Sequence, residues 1–141
     1  MPMFSRARLS GALASATVVA ALFGAFSAQD RAIAAPAAAP AGNAANGAKL
    51  FAQCKICHST DAGKNGLGPS LRGVVGRKSA TAPGFSYSTA MKGVGVTWKP
   101  HELNEFLRGP MKKIPGTKMA FAGIANDQNR ADVIAYLGTL K

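Results

Sequence analysis

Two thiols and an imidazole fall within the five residues Cys54-Lys55-Ile56-Cys57-His58, and the 141-residue chain has no other cysteine. Three chemistries use such a set: a disulfide, half of a zinc site, or covalent haem attachment through C-x-x-C-H. A dithiol redox centre belongs after a strand in a βαβ unit, and no strand pattern precedes Cys54. A structural zinc site wants four ligands, and beyond these three side chains there is only the distant His101. A simple Cys54–Cys57 bridge leaves the neighbouring histidine unexplained. Haem attachment accounts for all three. Residues i and i+3 share a helix face, so each thiol meets one haem vinyl group and His58 comes next to the iron. Lys55 and Ile56 need only fill the turn.

Iron held on one side by His58 needs a second ligand, and Met91, Met111, Met119 and His101 carry suitable atoms. Met119 lies in IPGTKMAF, where Pro115-Gly116 make a rigid turn able to hold a thioether in place. Met91 sits in a short helical turn and Met111 follows a proline, positions that suit packing or the surface. His101 stands beside Glu102 at the start of an amphipathic helix, where an imidazole is usually exposed.

The elements around these residues are short. AANGAKLFAQC (44–54) suits a helix with Leu50 and Phe51 inward. Gly and Pro punctuate 63–95, leaving room for one helical turn at 88–92 with Ser88 as cap. PHELNEFLR starts with proline at a first helical position, puts Leu103, Phe106 and Leu107 on one face, and stops at Gly109-Pro110. NDQNRADVIAYLGTLK is the clearest helix: Asn126 caps it, Asp127 complements its dipole, and Val133, Ile134, Leu137 and Leu140 form the inward stripe. The expectation is an all-α domain of three to five short helices and long loops, too poor in large apolar residues to fill its own centre.

The first third reads differently. Arg6 and Arg8 precede 21 uncharged residues (9–29) and an Ala/Pro stretch. Basic, apolar and small-residue regions in that order describe an export signal over 1–34, with Ala32-Ile33-Ala34 before the cut. An uncleaved anchor is the alternative, but few of residues 9–29 are large and apolar. Residues 35–45 then form a linker and 46–141 the domain. Cleavage lowers the formal net charge from +11 to about +9. Such a surface attracts acidic partners at low salt. Its lysines are scattered rather than interleaved with aromatics, which argues against nucleic acid.

From Gly47 to the C-terminus the chain resembles the class I c-type cytochromes, and is similar to the soluble bacterial carriers closest to the mitochondrial type. The resemblance rests on CKICH, GPSLRGVVGRK, APGFSYS, VTW, IPGTKMAF and RADVIAYL, in that order. It implies one covalent haem c wrapped by helices, with His58 and Met119 as iron ligands. It implies that the Pro69 carbonyl accepts a hydrogen bond from the proximal imidazole. Arg77, Tyr87, Trp98 and Thr117 match positions around the haem propionates, although Trp98 suits plain core packing equally well. Gly47, Phe51, Val133 and Tyr136 match the packing of first helix on last.

The implied function is one-electron transport in the periplasm by a monomer that is not an enzyme. Lys55, Lys112, Lys113 and Lys118 would ring the haem edge and meet acidic faces of membrane complexes, a bc1-type donor and an oxidase or reaction-centre acceptor. A haem peroxidase or gas-binding protein is the alternative, and both require Met119 to dissociate. Two departures from the family pattern stand out: Phe106 replaces a tyrosine and Met91 an asparagine. Both polar partners of an internal water are thereby lost, and that water is expected to be absent or displaced.

Overall fold

The computed structural model describes residues 40–141. The proposed signal (1–34) and the start of the linker lie outside the described residues. Five α-helices and one 3₁₀ turn follow in order: α1 (Ala44–Leu50), the 3₁₀ turn (Phe51–Gln53), α2 (Thr89–Val94), α3 (Pro100–Arg108), α4 (Pro110–Lys113) and α5 (Asp127–Leu137). Strand pairing among the described residues is limited to one isolated bridge, Lys78 to Thr97. No helix of the described residues is long and apolar enough to cross a membrane.

Helices α1 and α5 pack directly on each other. Gly47 makes this possible: a β-carbon there would run into the Asp132 carbonyl of α5. Phe51, with 0% of its surface exposed, sets its ring 5.1 Å from that of Tyr136. The contact carries about 2–3 kcal/mol of apolar burial for the phenylalanine alone. Asn43 caps α1 by accepting from the Asn46 amide, and Asn126 caps α5 by accepting from Asn129. Val133, Ile134 and Leu137 are buried as the periodicity predicts, while Leu140, beyond the helix end, is half-buried.

Arg130 and Asp132 are also buried on α5, which periodicity did not suggest. Each is hydrogen-bonded throughout, the condition under which a charge survives burial. Arg130 donates to Asn104 Oδ1 at 2.7 Å, to the Ile124 carbonyl at 2.6 Å and to Asp127. Asp132 accepts from the Asn43 amide at 2.7 Å, Asn46 Nδ2 at 2.5 Å and Gln128 Nε2 at 2.9 Å. These bonds hold its carboxyl below the usual range, the Asn43 N–H contributing most.

Helix α2 is capped by Ser88, which accepts from Met91, and ends at Gly95 in the left-handed conformation. Helix α3 buries Leu103, Phe106 and Leu107. Gly109-Pro110 ends α3 as expected, yet the chain becomes helical again at once. Pro110 occupies the first position of α4, where its missing N–H costs nothing, so the pair redirects the helix instead of terminating it.

The long segment from Cys54 to Ser88 is held by side chains. Asn65 donates to the Pro83 carbonyl at 2.9 Å and accepts from the Ser70 amide at 3.0 Å, tying two loops together. Ser70 Oγ donates to the Asp61 carbonyl at 2.6 Å.

Candidate functional site

The cysteine segment continues α1 through tight turns. Cys54 and Lys55 amides donate to the Phe51 carbonyl, and those of Cys57 and His58 donate to Cys54 at 3.1 and 2.9 Å. The buried Phe51 therefore anchors the turn that presents both thiols and the imidazole. Cys54 and Cys57 are free thiols, so the disulfide alternative does not describe this structure. Burial, and then the neighbouring Cys57, push the Cys54 thiol up from its ordinary value. Among the described residues no three His, Cys, Asp or Glu side chains cluster as a metal site of their own.

His58 Nδ1 lies 2.7 Å from the Pro69 carbonyl. A carbonyl oxygen only accepts, so Nδ1 carries the proton and Nε2 keeps its lone pair for a metal. Burial lowers the His58 pKa, opposed by the Pro69 bond. Gly68 packs on the ring: a β-carbon there would lie 2.6 Å from Nδ1 and 2.8 Å from Nε2. Its backbone N–H donates to the Cys57 carbonyl at 2.9 Å, closing this loop over the attachment segment.

Met119 is half-buried and packs against the core. Its amide donates to Thr117 Oγ1 at 3.3 Å, after the turn in which Gly116 takes φ +86°. The other candidates separate cleanly. Met91 is buried within the core, whereas Met111 and His101 are exposed.

Arg77 and Trp98, distant in sequence, are joined by the bond from the Trp98 amide to the Arg77 carbonyl at 2.8 Å. The Arg77 guanidinium donates to the Arg72 and Ser70 carbonyls at 3.0 and 2.9 Å. Burial lowers its pKa, and nearby Tyr87 acts the other way. It has no carboxylate partner among the described residues. Tyr87 Oη accepts from the Ala82 amide at 3.2 Å. Thr117 and Tyr87 hydroxyls thus both act as acceptors toward backbone, leaving their own hydrogens for another group. The Trp98 ring packs on Phe106 with centroids 5.0 Å apart. Met91 and Phe106 are both buried and bring no polar atom to the interior.

Three residues escaped sequence reasoning. Ser79 is buried and its Oγ has no hydrogen-bond partner among the described residues, on the far side of exposed Lys78 from Arg77. Gly68 and Asn65 act through a close approach and a loop tie. The GLGP punctuation hinted at the first, while nothing local marked Ser79 or Asn65. A hollow of about 280 Å³ opens beside Ser70, Arg72, Arg77 and Ala82. A larger one of about 430 Å³, between α2, α3 and α4, touches Trp98 and Lys113 of the predicted residues and lies off the cysteine segment. Two free thiols, an imidazole with a free Nε2, a guanidinium without a carboxylate partner and a buried hydroxyl without a bond among the described residues fit a covalently attached, anionic, metal-bearing group such as haem.

The comparisons agree. Residues 44–141 match the family model described as Cytochrome c. The chain is 50% identical over 101 residues to a cytochrome c from Euglena viridis, covering 71% of this chain and 99% of that protein. It is 50% identical over 104 residues to a cytochrome c2 from Blastochloris viridis, covering 73% and 80% respectively. The structure of cytochrome cH from Methylobacterium extorquens aligns with TM-score 0.66 at 49% identity, over 70% of this chain and 99% of that one. With its attachment motif, its all-helical fold and these relatives, the chain belongs to the cytochrome c family and is a haem c electron carrier.

Proposed function

We propose that the protein is a periplasmic one-electron carrier whose haem would be held by thioethers to Cys54 and Cys57, with His58 and Met119 as the residues that would bind its iron. The bound haem supplies reversible one-electron Fe(III)/Fe(II) chemistry. The observation that carries the ligand assignment is the 2.7 Å bond from His58 Nδ1 to the Pro69 carbonyl, which orients the ring and makes Nε2 a stronger donor. The Met119 thioether is soft and favours the reduced state. Arg77, Tyr87, Trp98 and Thr117, with Ser79 two positions along the chain from Arg77, would offer hydrogen-bond donors to the propionates. With haem bound, His58 and Met119 would both serve as iron ligands and would leave no site for a substrate, which argues for a carrier and against an enzyme. The peroxidase and gas-binding readings need Met119 to leave, and no observation favours that.

In this reading residues 1–34 direct export, 35–45 link, and 46–141 carry the haem. Partners are acidic faces of membrane redox complexes, a bc1-type donor and an oxidase or reaction-centre acceptor. The test is an absorption spectrum of the oxidised holoprotein. Low-spin iron with the weak sulfur-to-iron band at the red end, lost in Met119→Leu, is the expected result. A wild-type spectrum without that band at neutral pH would overturn the Met119 assignment.

A further inference from the structure

Arg72 and Arg77 line the smaller hollow, of about 280 Å³, together with Asn65, Ser70 and small residues, and no carboxylate lines it. Two guanidinium groups beside one hollow repel each other unless an anion offsets them. The fold nevertheless fixes them there. Ser70 Oγ, which donates to the Asp61 carbonyl at 2.6 Å, accepts from the Arg72 amide at 3.3 Å. The Arg72 carbonyl takes one Arg77 N–H at 3.0 Å and the Ser70 carbonyl another at 2.9 Å. A guanidinium carries five N–H groups, so three of those on Arg77 remain for another acceptor. Arg77 is half-buried and held by the backbone, whereas Arg72 is exposed and its side chain is free to close on a ligand. Neither has a carboxylate partner among the described residues, and Asp61 on the adjoining loop is bonded to Lys64 at 2.9 Å. Two further lining residues, Ala62 and Gly63, have backbone amides without a partner among the described residues.

We infer that this hollow is a binding site for a small tetrahedral oxyanion of the phosphate type, held by Arg77 and closed over by Arg72. A planar guanidinium meets phosphate oxygens two at a time, and a charged acceptor makes each such bond stronger than a neutral one. The lining has no aromatic side chain on which a nucleobase could stack, which favours the free anion over a nucleotide. The site has a consequence for the carrier. On the reading above Arg77 also serves the haem propionates, so an anion drawing on the same guanidinium adds negative charge near the haem. That charge favours Fe(III) and lowers the midpoint potential; reciprocally, the oxidised protein binds the anion more tightly. The coupling rests on that reading, while the site rests only on the hollow and its arginines.

The probe is inorganic phosphate, added at constant ionic strength and neutral pH to the isotope-labelled, reduced holoprotein. The readout is proton–nitrogen correlation NMR, which locates the ion as well as its affinity. Saturable shifts centred on the Ala62, Gly63 and Arg72 amides are expected. Arg72→Gln should weaken binding about tenfold, the worth of one charge-assisted bond. Lys92→Gln removes the same charge from exposed α2 and should leave the affinity unchanged. An unaltered absorption spectrum in both variants verifies the fold. Shifts that never saturate, or that gather on the lysines of α4, mean an adventitious ion only and overturn the site. Equal weakening in the two variants overturns it too, since only net charge would then matter. Midpoint potentials measured with and without phosphate test the coupling separately. A saturated site with an unmoved potential overturns the link from Arg77 to the propionates and leaves the binding site in place.

Discussion

Gly68 lies flat against the His58 imidazole, leaving no space between backbone and ring for even a methyl group. The neighbouring Pro69 carbonyl fixes the same ring from its Nδ1 edge. Two successive backbone positions therefore set the ring's plane and its rotation. Gly68→Ala should push the imidazole aside, costing about 1–3 kcal/mol of stability by overpacking. Denaturant titration measures the loss. Proton NMR of the oxidised protein reads the cause, as shifted haem-methyl resonances, which a remote destabilising substitution would leave in place.

Arg130 is 1% exposed and binds the Ile124 carbonyl, at the far end of the segment that begins with Met119. The Ile124 amide is held by the Leu107 carbonyl at 2.8 Å. Arg130→Met keeps much of the volume and removes every donor. Stability should drop by about 3 kcal/mol, from the stranded Ile124 and Asn104 acceptors. Thermal unfolding should show this as a Tm lower by roughly 10–20 °C.

Asp132 carries a pH dependence. Hydrogen bonds, first that of Asn43, depress its folded-state pKa below the ordinary 3.8. The unfolded chain then binds the proton more readily. The stability this carboxylate contributes is present above about pH 4 and is lost as the pH falls through the folded-state value. Asp127, held low chiefly by Arg130, adds a slope of the same sign. Urea titrations from about pH 6 to about pH 3 should give a shallower acid decline in Asp132→Asn, with a smaller slope still in the double variant Asp127→Asn/Asp132→Asn.

Asn65 joins loops that share no secondary structure. Asn65→Ala removes its bonds to Pro83 and Ser70 and should cost about 1–2 kcal/mol. Amide hydrogen exchange should accelerate at Ser70 beyond the global change, because that N–H loses its acceptor. Uniform acceleration across the protein would count against a local tie.

How much was legible follows from the range of each interaction along the chain. Caps at Asn43, Ser88 and Asn126 bond amides three residues on, so they can be read from neighbouring letters. The stripe of Val133, Ile134 and Leu137 is likewise a matter of helical period. Pro110 misled in part because its preference for a first helical position competes with its role as a stop. Arg130 and Asp132 were invisible because a charged residue is buried only when distant partners converge on it.

The sequence by itself determined the chemistry: two thiols and an imidazole at a spacing that admits covalent haem, export-like flanks, and a positive surface. These are properties of residue type and near-neighbour spacing. Tertiary structure decided that Gly68 must lack a side chain, that Asn65 bridges two loops, and that Ser79 is buried without a partner among the described residues. The physical reason is common to all three. Each depends on backbone atoms or surfaces brought together across long loops, and backbone atoms look the same in every letter of a sequence.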